Sequence, residues 1–139
     1  MSTERPLLLD NEAVQALRDT GHRRHRRVAL LVEVTAASGR RRGRPAPVVP
    51  TAVRVEAAWD RRDPRAASIN RFKVVDAPLD GELADRAARL LSELRVSVPD
   101  AHLGATIAAV GTCTVITSDV DDVRRMAEHL DVPVRIVPV

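Results

Sequence analysis

Short aliphatic runs alternate with helical stripes along the whole chain. Leu7-Leu8-Leu9 is closed by Asp10 and has the pattern of a strand buried on both faces. Asn11–Leu17 follows with Ala13, Val14 and Leu17 at helical spacing. His22–Ser38 repeats that spacing with Val28, Leu31, Val32 and Thr35 on one face, and Gly39 is placed to end it. The tract Arg40–Pro47 alternates cations with Gly and Pro and is expected to be an exposed loop. Val48-Val49 then opens a second strand, Thr51–Arg62 reads as a helix, and Phe72–Val75 reads as a third strand closed by Pro78. Asp80 can cap a helix whose stripe is Leu83, Ala87, Leu90, Leu91 and Leu94. A further helix spans Val98–Val110 and stops at Gly111. Thr114–Thr117 is a fourth strand, Val120–Leu130 a helix and Val134–Val137 a last strand.

Strands separated by helices need right-handed crossovers, which produce a parallel sheet covered on both faces. The expected fold class is therefore α/β: a three-layer α/β/α, Rossmann-like domain with about five parallel strands. A chain of 139 residues is the size of one domain, so residues 1–139 are taken as a single unit. No repeat is visible.

Composition narrows the function. Trp59 and Phe72 are the only aromatic residues, which argues against modules that stack bases on aromatic platforms. The formal charge of +3 is unevenly placed. Residues 1–70 hold 14 arginines against 8 acids, and residues 71–139 hold 8 basic residues against 11 acids. A basic front half suits a polyanionic partner, and an acidic rear half could contribute to a cation site. The preference for Arg over Lys fits a GC-rich genome as well as it fits phosphate contacts. Cys113 stands alone in an apolar stretch, which excludes an intramolecular disulfide and a thiolate cluster and marks it as a small buried hydrophobe. Glu4, Arg5 and Asp10 interrupt the apolar start, so no signal peptide is expected. With no apolar run long enough to cross a bilayer, a cytoplasmic protein without membrane contact is expected. Neither a Walker loop, a dinucleotide glycine motif, a serine elbow nor a His-Glu-x-x-His pair occurs.

The acids fall at telling places. In an open parallel sheet, ligands bind beyond the carboxyl ends of the strands, near the reversal in strand order. Asp10 follows the first strand and Asp119 the fourth, while Glu56 lies just after the second and Asp100 starts the helix leading to the fourth. Converging carboxylates repel unless a divalent cation neutralises them, and oxygen ligands select Mg²⁺ or Mn²⁺. Each acid also has a structural reading: Asp10, Asp100 and Asp119 as helix caps or capping-box members, and Glu56 as a solvated helix residue.

Together the four segments resemble the PIN-domain family, most closely the VapC-type toxins, across nearly the whole chain. Leu8-Leu9-Asp10-Asn11 is similar to the opening motif, and Val49–Glu56 is similar to the second, whose Glu turns back into the site. Asp100-Ala101-His102-Leu103 resembles the helix start that carries the third acid. Thr117-Ser118-Asp119-Val120-Asp121-Asp122 resembles the motif with the fourth. The resemblance implies a metal-dependent endoribonuclease that hydrolyses RNA and leaves a 5′-phosphate. Asp10, Glu56, Asp100 and Asp119 would be the catalytic metal ligands for one or two Mg²⁺ or Mn²⁺ ions, with Asp122 as a further, water-mediated ligand. Asn11, Thr117 and Ser118 would support the ligand carboxylates from behind. A cognate antitoxin and a homodimer are also implied.

His22-Arg23-Arg24-His25-Arg26-Arg27 opens the second helix, where the helix dipole disfavours cations. Arg23, Arg24, Arg26 and Arg27, with Arg41 and Arg42 in the basic tract, are therefore candidates for contact with RNA phosphates or an acidic partner segment, against the alternative of a solvated charged end. His102 is near Asp100 and could orient substrate or serve the fold. Two other functions remain open. One is a PIN-fold binding protein that acts through its partner without turnover. The other is a receiver-like signalling domain, although its only lysine, Lys73, lies within the third strand, ahead of Val74-Val75-Asp76.

Overall fold

The computed structural model describes residues 5–41 and 46–139, with the side chains of 36–41 left aside. Arg42 and the centre of the basic tract lie outside the described residues, as does the side chain of Arg41. The elements in chain order are β1 (Leu7–Leu9), α1 (Asn11–Arg18), α2 (His25–Arg41), β2 (Val48–Pro50), α3 (Thr51–Glu56), a 3-10 turn (Pro64–Ala66) and α4 (Ala67–Asn70). They continue with β3 (Val75–Ala77), α5 (Gly81–Glu93), α6 (Val98–Val110), β4 (Cys113–Thr117), α7 (Val120–Leu130) and β5 (Val134–Pro138).

All strands are parallel, in the order β3-β2-β1-β4-β5. The chain winds outward from β1 to β3, then crosses back to place β4 on the other side of β1. The reversal therefore falls between β1 and β4, and their carboxyl ends flank the crevice of a doubly wound sheet. Alternation along β1 sends Leu7 and Leu9 to one core, with Val14, Leu17, Val28, Val53 and Ile69, and Leu8 to the other, with Leu103, Ile107, Val115 and Met126. The result is the expected three-layer α/β/α architecture. Helix α6 is buried continuously from Ala101 to Ile107 because it lies between the sheet and its neighbouring helices. Among the described residues, no helix is long and apolar enough to cross a membrane.

Several boundaries differ from the expected ones. Helix α2 starts at His25 instead of His22, because residues 19–24 are tied down as a turn. The His22 ring bonds Glu12 at 2.9 Å and accepts the Arg24 N–H at 3.0 Å, and the His25 ring bonds the Ala16 carbonyl at 2.7 Å. Arg23 and Arg24 therefore precede the helix, and only Arg26 and Arg27 lie in its first turn. The helix also continues through Gly39 to Arg41, since a helical glycine costs only about 1 kcal/mol and does not by itself stop a helix. Pro47, expected in an exposed loop, is buried ahead of β2.

The helix expected over Thr51–Arg62 ends at Glu56, and Ala58 takes a left-handed φ of 54°. This break buries Trp59, whose Nε1 donates to Asn70 Oδ1 at 3.1 Å. Arg54 and Arg61 each lie over the Trp59 ring, and each donates to Asp76 at 2.7 Å. The third strand begins at Val75 rather than Phe72, because Lys73 has φ 53° and cannot join a ladder. Leu91, placed on the buried stripe of α5, is 40% exposed.

Candidate metal centre

Asp10 leaves β1 with its N–H still bonded to the Ile116 carbonyl at 3.1 Å, which carries the β1–β4 ladder one residue further. Its side chain is buried and held on both oxygens. Oδ1 accepts the Asn11 N–H at 2.8 Å, and Oδ2 accepts the Thr117 hydroxyl at 2.7 Å. The same Thr117 Oγ1 accepts the Asp119 N–H at 2.9 Å. One buried hydroxyl thus aligns the acids at the ends of two adjacent strands. Asp119 occupies the N-cap position of α7, but its side chain makes no capping bond, so the structural reading of this acid finds no bond to support it. Asp100 lies in the first turn of α6, where its N–H donates to Ser97 Oγ at 3.2 Å.

Asp10, Asp100 and Asp119 each offer a carboxylate oxygen, and these three oxygens lie within 4.8 Å of one another. Glu56 and Asp122 stand outside this group. Glu56 is exposed at the end of α3, and the Asp122 carboxylate accepts Arg125 Nη2 at 2.9 Å. Asp122 nevertheless acts on the cluster electrostatically, and the cluster acts on Glu56. The Asp10 carboxyl is raised above its ordinary value, first by burial and then by the charges of Asp119 and Asp122, against the opposing bonds from Thr117 and Asn11. Asp100 is raised by burial and by Asp10, opposed by Ser97 and reinforced by Asp119 and Asp122. Glu56 is raised by lost hydration and then by Asp10, Asp100 and Asp119. The charges that raise these three carboxyls are those of one another and of Asp119 and Asp122.

Of the supporting residues expected, Thr117 bonds Asp10 through its side chain. Asn11 contributes its backbone N–H, while its side chain faces Gln15 at 3.5 Å. Ser118 is exposed, and no hydrogen bond joins it to the acids. Glu12 is engaged by His22. His102 is fully buried, and its Nδ1 accepts the Ala52 N–H at 3.1 Å. That contact joins residues fifty positions apart, and nothing in the local sequence could signal it. A separate cleft of about 370 Å³ between α5, α6 and α7 is lined by Arg86, Leu90, Glu93, Ala105 and His129, and none of the site acids reaches it.

The chain matches no known family model and no curated protein.

Proposed function

We propose that this chain is a divalent-cation-dependent endoribonuclease of the PIN-domain type, and that it is the toxin of a toxin–antitoxin pair. The observation that carries the reading is the meeting of Asp10, Asp100 and Asp119 within 4.8 Å at the reversal of strand order. The motifs around these residues, together with Glu56, are those that resemble the family.

The donor set fits Mg²⁺ or Mn²⁺. It consists of carboxylate oxygens from three elements, without sulfur or imidazole, and the carboxyls of Asp10 and Asp100 are raised by burial and by the neighbouring acids. Asp10, Asp100 and Asp119 would hold the ion. When bound, it would supply Lewis-acid charge to a phosphodiester oxygen and acidify an adjacent water. Thr117 keeps the Asp10 carboxylate aimed and holds the Asp119 backbone against the β4 end. Glu56, exposed and with its carboxyl raised, can take a proton from water entering the crevice. Arg23, Arg24, Arg26 and Arg27 supply positive charge for an RNA backbone. The resemblance adds a cognate antitoxin and a second copy of the chain, and the cytoplasmic setting is the one expected from the sequence.

The receiver-like alternative lacks its lysine. Lys73 precedes β3, at the amino end of the parallel sheet, and the acids sit at the carboxyl ends.

The test incubates metal-free protein with end-labelled RNA, with Mg²⁺, Mn²⁺ or neither, beside a folded Asp10→Asn variant. Cleavage by wild type only with metal, and none by the variant, is expected. Full activity of the variant would overturn the metal assignment. A wild type that binds Mn²⁺ but cleaves no RNA would favour a binding protein acting through its partner.

A further inference from the structure

Helix α3 is the element that brings Glu56 toward the three clustered acids, and it is poorly secured by its own residues. It has six residues, and its N-cap is Pro50, which provides no side-chain capping bond. Early helix N–H groups need partners from outside the helix. For Ala52 the partner is remote: its N–H donates to Nδ1 of His102 on α6 at 3.1 Å. Ala52 and Glu56 are one helical turn apart, so the bonded end and the acid share a face of α3. Asp100 and His102 belong to the same stretch of α6, which packs directly on α3.

The charges around Glu56 work against its placement. Asp10, Asp100 and Asp119 all repel its carboxylate, and a helix of one and a half turns has little rigidity of its own. The His102 ring is wholly buried; its other nitrogen, Nε2, makes no hydrogen bond of good geometry, and the Ala77 backbone is the ring's remaining hydrogen-bonding interaction. A leucine would fill that space but leave the Ala52 N–H without its acceptor. The one close hydrogen bond of the imidazole is the one to α3.

We propose that His102 is a positioning residue: by accepting the Ala52 N–H it pins the helix that carries Glu56 to the helix that carries Asp100, and so keeps Glu56 beside the three clustered acids. This inference rests on the divalent-cation reading given above.

Three substitutions separate the bond from mere filling. His102→Asn places an acceptor oxygen where Nδ1 lies, His102→Gln places one nearer Nε2, and His102→Leu provides none. The first readout is independent of metal and activity: hydrogen exchange at the Ala52 amide. It should remain protected in His102→Asn and exchange faster in His102→Gln and His102→Leu. The second is Mn²⁺ titration, where the Gln and Leu variants should bind about tenfold more weakly than wild type and the Asn variant close to wild type. In a Glu56→Gln background, His102→Leu should cause little further loss, since the histidine acts through Glu56. If His102→Leu does not fold, the Asn and Gln variants still make the comparison.

Equal Ala52 exchange and equal Mn²⁺ binding in the Asn and Gln variants would overturn the proposal while leaving the metal site intact. So would a full additional loss in the Glu56→Gln background. Wild-type protein that binds no Mn²⁺, with Ala52 exchange responding as expected, would instead remove the cation reading and the purpose assigned to the tie, leaving the bond as a feature of the fold.

Discussion

Thr117 is completely buried and uses its hydroxyl twice, donating to Asp10 and accepting from the Asp119 backbone. Thr117→Val keeps the shape but leaves a carboxylate oxygen and an N–H without partners. It should lower unfolding free energy by about 1–3 kcal/mol and weaken Mn²⁺ binding about tenfold. Thr117→Ser should restore both, as read by denaturant titration and Mn²⁺ binding. The acids themselves work against the cation-free fold. Asp10, Asp100 and Glu56 have raised carboxyls, so the stability linked to their protonation is fully present below the ordinary values of 3.8 and 4.5 and is lost as pH rises through the raised ones. On the proposed reading, a bound cation would remove that loss. The gap in Tm between Mg²⁺-saturated and Mg²⁺-free protein should therefore narrow as pH falls into the carboxyl range, and a gap independent of pH would contradict the assignment. His102 acts in the opposite sense. Burial lowers its pKa below 6.5, so its contribution is present above that value and is lost as pH falls. By the same repulsion, Asp100→Asn should raise the Tm of the cation-free protein by a few degrees, roughly 1 kcal/mol, while removing the Mg²⁺-induced rise.

At the scale of elements, the segment between α3 and β3 is organised around one tryptophan. Arg54 and Arg61 converge on Asp76, and Arg61 also donates to the Val74 carbonyl at 2.8 Å. Asp76 thus ties both ends of the excursion to an edge strand. Asp76→Asn should cost about 1 kcal/mol, since these bonds are charge-assisted but half exposed. It should speed hydrogen exchange across residues 57–74 while the amides of β1 and β4 keep their protection. This region is also where the sequence was least legible. Thr51–Arg62 has helical spacing throughout, yet burying Trp59 between two arginines outweighs helix propensity, and the left-handed Ala58 follows from that packing. By contrast, α5, α6 and α7 were readable almost to the residue. Their amphipathic or fully apolar patterns and their local signals, Asp80 at one start, Ser97 at another and Gly111 at a stop, agree with the tertiary fold.

Across the whole molecule, the basic front half would, on the proposed function, draw a polyanion toward a site to which both halves contribute acids. RNA affinity, measured with Asp10→Asn to prevent cleavage, should fall steeply with salt. Replacing Arg23, Arg24, Arg26 and Arg27 by Gln should flatten the log–log slope by up to about 3 if all four contact single-stranded phosphates. An unchanged slope would leave these arginines as solvated charge.

The alternation of short apolar runs with helical stripes was enough to determine an α/β sheet with parallel strands, because both periodicities are local properties of the chain. It also placed Asp10 and Asp119 at strand ends, since an acid that follows an apolar run can be seen without knowing the neighbours of that strand. Strand order was not local. Only the packed sheet sets β4 beside β1, so that residues 107 positions apart share one hydrogen bond and three acids from separate elements meet. The same is true of Glu56, Asp122 and His102, whose distances from that centre depend on how α3, α6 and α7 pack. Spacing along a chain specifies which side chains share a face, whereas tertiary packing decides which faces meet.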